Sequence, residues 1–210
     1  MADGPEQRLA ANDTARLEAF SDGVFAIAIT LLVLEVRVPG GHGTLAHKLA
    51  DTWPSYIGYA VSFVTIGIMW ANHHTIFRLI ARTTHGLIVA NLLLLLTVAF
   101  LPFPTAVLAA HLRHSGADQR TAAVFYSGTF ILIAAAFQVL WRVASQGYRL
   151  IMPGARAAAD QITRSYWLGI PTYSLSTLLA LWRPFVGLAL VGALALFWTI
   201  PRGQLDAVTR

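Results

Sequence analysis

From Gly23 to Leu34 the chain runs twelve residues without a charge. This is the centre of the first of six long apolar segments. A bilayer core is about 30 Å thick and takes roughly 20 helical residues at about 1.5 Å each. The segments at 17–38, 53–77, 86–110, 121–143, 163–182 and 184–200 meet or approach that length. The fifth is the most polar and carries Pro171, so five helices is the alternative count. Gly/Pro turns at 39–43 and 153–154 separate segments rather than domains. The pattern predicts an all-α integral membrane protein, with residues 1–210 forming a single domain of six transmembrane helices.

Within the first segment a helical wheel of about 100° per residue gathers Phe20, Gly23, Ile27, Thr30, Leu31 and Leu34 into one stripe. Taken alone, such a stripe fits a seam between packed helices as well as a pore lining. Asp22 sits where this segment turns apolar. An ionisable group at a membrane boundary is costly and finds a partner or water. Arg16 lies six residues back, too far round the helix for the usual i,i+4 pair. The carboxylate is therefore expected to meet a group on another helix. The second segment ends Asn72, His73, His74, with Arg78 just beyond. A hydrogen-bonded network from His73 or His74 to Ser21 and Asp22 is expected. Adjacent histidines diverge by about 100° on a helix and make a poor metal site, so no metal is expected.

Composition sharpens the class. The 210 residues are 56% hydrophobic and 12% charged, with a mean hydropathy of +0.60. A soluble domain carries about 25% charged residues. There is no cysteine, which removes disulfides and thiolate metal sites. The polar, acidic start is unlike a signal peptide, so the first segment is expected to stay in the protein. The net charge of +5 is spread singly between apolar runs and does not point to nucleic acid. With the N-terminus inside, inner segments hold ten Lys/Arg and outer ones five. That bias predicts both termini in the cytoplasm, which an even helix count permits. No Thr-Val-Gly-Tyr-Gly filter, phosphate-binding glycine loop, nucleophile elbow or His-Glu-x-x-His occurs, and no enzyme activity or cofactor is expected.

The string Arg16-x-x-x-Phe20-Ser21-Asp22, with Ala26 following, resembles the first-helix signature of the transmembrane protein 175 family, and "WANHHTIF" on the second helix is similar to that family too. The resemblance implies a potassium-permeable channel of a cell membrane, built on a six-helix plan. Animal members hold two such repeats. A single repeat resembles the prokaryotic kind, a homotetramer embedded in membrane lipid. It further implies that the first helices line the pore, with large aliphatic side chains at its narrowest rings, here Ile27, Thr30 or Leu31, and Leu34. Ala26 departs from repeats that carry Ser beside the gate. The permeant ion would be potassium, with weak selectivity, because aliphatic rings offer no carbonyl cage. Arg16, Phe20, Ser21, Asp22, Asn72, His73 and His74 would form the structural network at the inner end. Two other functions remain open: a secondary transporter or proton pathway using Asp22 and His73/His74, and a non-conducting membrane scaffold.

Overall fold

The computed structural model describes residues 5–36, 40, 42–113 and 115–199, with side chains inside 12–197. Residues 37–38 of the first predicted segment, residue 200 of the sixth, and Arg37, Arg202 and Arg210 of the charge count lie outside the described residues.

The described residues are helical almost throughout: α1 Pro5–Leu31, α2 Leu45–Asp51, α3 Trp53–Phe77, α4 His85–Phe100, α5 Pro102–His111, α6 Ala117–Ser145, α7 Arg156–Tyr166, α8 Gly169–Trp182 and α9 Pro184–Thr199. Four stretches among them are long and apolar enough to cross a membrane: Asn12–Glu35, Trp53–Phe77, His85–His111 and Ala117–Tyr148. A shorter apolar helix covers Pro184–Phe197.

Prolines explain where the helices divide. The stretch predicted at 86–110 breaks at Leu101 into α4 and α5. Pro102 has no N–H to give to Val98, and its ring crowds that carbonyl. The amide of Leu101 still reaches Val98 O at 3.1 Å and that of Thr105 reaches Leu101 O at 3.2 Å, so hydrogen bonding continues on both sides of the junction. The stretch predicted at 163–182 is not one helix. It holds the end of α7, a turn at Trp167–Leu168, and α8. Pro171 would clash with the carbonyl of Trp167, four residues back. The chain therefore turns at Trp167, and Pro171 falls in the first turn of a new helix, where a missing N–H costs nothing.

α6 is the axis of the molecule. At about 1.5 Å per residue its 29 residues run about 43 Å. Tyr126, Phe130, Ile133, Phe137, Leu140 and Trp141 bury its length against α4, α5, α8 and α9. Ser62 of α3 meets the Thr105 hydroxyl at 2.9 Å and the Tyr126 hydroxyl at 3.1 Å, so α3, α5 and α6 share a buried polar clamp. At the other end of the bundle, the connections after α3 and after α6 are tied by an antiparallel bridge, Ile80 to Ile151.

α8 and α9 form a close hairpin. A Cβ on Gly187 would lie 2.7 Å from both Ala180 Cβ and the Ser176 carbonyl oxygen. Ser176 Oγ donates to Gly187 O at 2.8 Å across the same crossing. Gly187→Ala should therefore force the helices apart and lower stability by about 1–3 kcal/mol. Gly192→Ala, in open space, should be neutral or slightly stabilising, since alanine favours helix. Thermal unfolding of the two variants in detergent checks this. Equal melting would mean the hairpin is not so tightly crossed.

Candidate functional site

α1 has two apolar faces with different fates. Ser21, Phe25, Ala28 and, in the turn that follows, Leu32, spaced four, three and four apart, are buried against α3, α4 and α5. The stripe on another side is bare: Phe20, Ile27, Leu31 and Leu34 are exposed, Ile27 by 59% and Leu34 by 70%, and Gly23 and Thr30 are open beside them. Among the described residues no other helix buries this stripe. Such a contiguous apolar face is a mark of an interface with another chain or with lipid.

The end of α1 departs from the ideal wheel. Leu32–Glu35 form a 3-10 turn. There the residues advance about 2.0 Å and 120° each, so Leu34 falls in line with Leu31 rather than drifting past Ile27. The axial step from Ile27 to Leu34 grows from about 10.5 Å to about 12 Å. Thr30 donates its hydroxyl proton to Ile27 O at 2.9 Å. Its oxygen lone pairs are what remain to face outward.

Behind the stripe lies a buried chain of hydrogen bonds across three helices. Ser21 Oγ donates to Leu17 O at 2.8 Å. With that proton spent, Asn91 Nδ2 of α4 donates to Ser21 Oγ at 2.8 Å. The orientation of the Asn91 amide follows, and its Oδ1 accepts from His73 Nε2 at 2.9 Å. His73 is fully buried, stacked on Phe77 at 4.3 Å between ring centres and tilted against Phe25 at 5.3 Å. The Nε2–H tautomer leaves Nδ1 as an acceptor, and that atom has no partner among the described residues.

A second, more open set lies beside it. Asp22 Oδ1, half-buried, accepts from Trp70 Nε1 at 2.8 Å. Glu18 Oε1 meets His74 Nδ1 at 2.7 Å, and Trp70 stacks on His74.

The structure thus joins Ser21 to His73 but through Asn91, and gives Asp22 and His74 separate partners. Asn72 takes no part; it lines an apolar pocket with Thr65, Met69, Phe130 and Tyr173 on the far side of α3. Arg16 and Arg78 are exposed. Asn91, Trp70 and Glu18 were missed in the sequence. Asn91 had a signal, as a lone amide inside a ten-residue apolar stretch from Leu87 to Leu96. Trp70 and Glu18 had none beyond side-chain type. Among the described residues no group of three or more His, Asp or Glu could hold a metal ion.

Comparison with known proteins places this arrangement. The profile of the family described as "Endosomal/lysosomal potassium channel TMEM175" matches residues 16–102, which contain both hydrogen-bonded sets. A potassium channel of Chamaesiphon minutus is 42% identical over 95% of this chain and 98% of its own length. A potassium channel of Streptomyces collinus is 47% identical over 89% of this chain and 92% of its own. The crystal structure of a lysosomal potassium-selective channel TMEM175 homolog from Chamaesiphon minutus has a TM-score of 0.81 to this fold. That match is at 42% identity and covers 90% of this chain and 97% of that one. The family is one of membrane ion channels rather than enzymes, and this chain belongs to the TMEM175 family.

Proposed function

We propose that this chain is the subunit of a potassium-permeable cation channel of a cell membrane. Four copies assemble as a homotetramer, and the α1 helices line the pore. The observation that carries the reading is the bare stripe of α1. Its large aliphatic side chains are turned away from a body that could have buried them. Around a fourfold axis one such stripe becomes a series of rings, with Ile27, Thr30, Leu31 and Leu34 at the constriction. Aliphatic rings wet poorly, so ions must shed water to pass. Potassium holds its water less tightly than sodium, and the barrier favours it weakly. Thr30 adds a ring of hydroxyl oxygens between the apolar ones. Ser21, Asn91 and His73 hold α1 against α3 and α4 so that the rings stay in register, with Asp22 bracing through Trp70.

In this reading the single domain of residues 1–210 crosses six times. α4 and α5 act as one span, and α8 and α9 as two short ones. Both termini are cytoplasmic, which the ten-to-five bias of Lys/Arg supports. A reporter fused after Arg210 should read cytoplasmic. A signal from the opposite side would overturn the orientation and the even count together.

The test of function is reconstitution of purified protein in planar bilayers, with reversal potentials under potassium on one side and sodium on the other. Discrete single-channel currents are expected, with a modest preference for potassium. Saturating, pH-coupled flux without discrete openings would favour a transporter, and silence under every condition a scaffold. Cross-linking in mild detergent should stop at four chains. A ladder ending at two would break the ring argument.

A further inference from the structure

We infer that the surface built by the α3–α4 and α6–α7 connections is a binding site for the phosphate of an anionic phospholipid headgroup. The inference rests on the membrane-spanning reading, but not on conduction or on the number of subunits.

Six exposed arginines collect there: Arg78, Arg82, Arg142, Arg149, Arg156 and Arg164. The bridge between Ile80 and Ile151 brings the two connections together, through Ala81 N to Leu150 O and Met152 N to Leu79 O, each 2.8 Å. Arg82 and Arg149 each lie two residues from this isolated bridge, one on each connection. Between 78 and 85, and between 142 and 168, the only carboxylate is Asp160. It accepts from the Tyr148 hydroxyl instead of pairing with arginine. The three ion pairs among the described residues involve none of the six.

Two of the arginines are held in a particular way. The guanidinium of Arg156 lies 5.4 Å from the centre of the Tyr148 ring, and that of Arg142 lies 5.7 Å from Trp167. A guanidinium over a ring face is attracted to it as a cation, and the N–H edge of each has no ion-pair partner among the described residues. That edge matches two oxygens of a phosphate. Tyr148 is placed for this at a conformational cost: it is a non-glycine residue with φ 55, directly after Gly147 with φ 59.

The depth of the site selects the source of the phosphate. The membrane-length stretch that begins with α6 ends at Tyr148. Trp167 and Leu168 stand exposed where α7 meets α8, and Met152 stands exposed beside the bridge. α7 buries Ala158 and Ala159 and exposes Arg156, Asp160 and Arg164, as an amphipathic helix lying at a membrane boundary does. Charge, aromatic anchors and apolar flanks at one level fit a headgroup with acyl chains below it.

The test uses delipidated full-length protein in detergent, titrated with short-chain phosphatidylglycerol and followed by native mass spectrometry. Phosphatidylglycerol should bind in preference to phosphatidylcholine. An R82Q/R149Q/R156Q variant should weaken it by about a hundredfold, from three lost charges at the headgroup level. Arg113→Gln, far along the bundle, should change nothing. Arg156→Lys should weaken binding severalfold although the charge is kept, because the planar edge is lost. Unchanged binding in Arg156→Lys, or equal binding of phosphatidylcholine, would reduce the site to a generic basic surface and overturn the inference. Displacement of the lipid by equimolar inorganic phosphate would overturn the lipid as its source. Should the triple variant not fold, Arg156→Lys and the two lipids decide alone.

Discussion

Asn91→Leu should remove about 2–4 kcal/mol of stability and most of the folded protein. Leucine matches asparagine in branching and in its number of heavy atoms, so no cavity opens and the main loss lies elsewhere. It comes from what is stranded. The Asn91 amide donates to Ser21 and accepts from His73 in a place with no exposure to water. Without it His73 Nε2–H loses its partner, and Nδ1 of the same ring already has none among the described residues. Interhelical hydrogen bonds in membranes average about 0.6 kcal/mol by double-mutant cycle. The larger figure here follows because a buried donor left unmade costs about 1–3 kcal/mol and two groups are affected.

The companion variants separate the polar explanation from a steric one. Replacing both partners, as His73→Phe with Asn91→Leu, should recover part of the loss, since a phenyl ring can keep the stack on Phe77 and Phe25 and leaves only Ser21 Oγ short of a donor. Asp22→Ala should cost less, about 1 kcal/mol, because Asp22 is only half-buried and loses a single bond from Trp70. The measurement is thermal unfolding of each purified variant. An Asn91→Leu protein that melts like the parent would show that the buried chain of bonds is incidental. A double variant worse than the single would show that His73 matters for reasons other than its bond to Asn91.

These two positions also show what could and could not be read in the chain. Asp22 announces itself, a charge at the edge of an apolar run, and it draws attention away from Asn91. Charge is visible in sequence; which polar group lies deepest is decided by helix packing. α1 presents Ser21 to α4 because Ser21 shares a face with Phe25, Ala28 and Leu32, and that face is legible as a helical repeat. The partner across it is not, because nothing local sets which turn of α4 comes opposite. His73 and His74 make the same point. One residue's rotation sends His73 into the core and His74 to Glu18 at the surface. The division of α7 from α8 was within reach, since Pro171 forbids a helix through Trp167. The tightening of α1 at Leu32–Glu35 was not, because Leu-Val-Leu-Glu has no residue that demands it. The stripe itself was plain on the wheel. Its emptiness, which separates it from a seam inside the chain, needed the fold.

Ile27→Ala should change ion preference more than any other single substitution on α1. Ile27 lies in the middle of the bare stripe, 59% exposed and free of the buried face. In the proposed fourfold ring, alanine removes three carbons from each of four chains at one level. Ions would then pass that level with more of their water. Sodium, which loses most by dehydration, should gain severalfold on potassium, and conductance should rise. Stability should move little, because a side chain this exposed in the chain takes little of its burial from the fold. Ala28, one residue on, is the contrasting position. It is buried at 1% exposure against the body, so enlarging it should damage folding by overpacking and leave the preference of any surviving channels unchanged. Leu34→Ala provides a second ring about 12 Å along the axis. If the two rings act in series, the double variant should exceed either single one. Reversal potentials under potassium and sodium, with single-channel conductance, check all of this on one preparation. An unchanged potassium-to-sodium ratio in intact Ile27→Ala channels would mean that Ile27 is not a narrow ring, and the bare face of α1 would then be a contact between subunits rather than the wall of the pore.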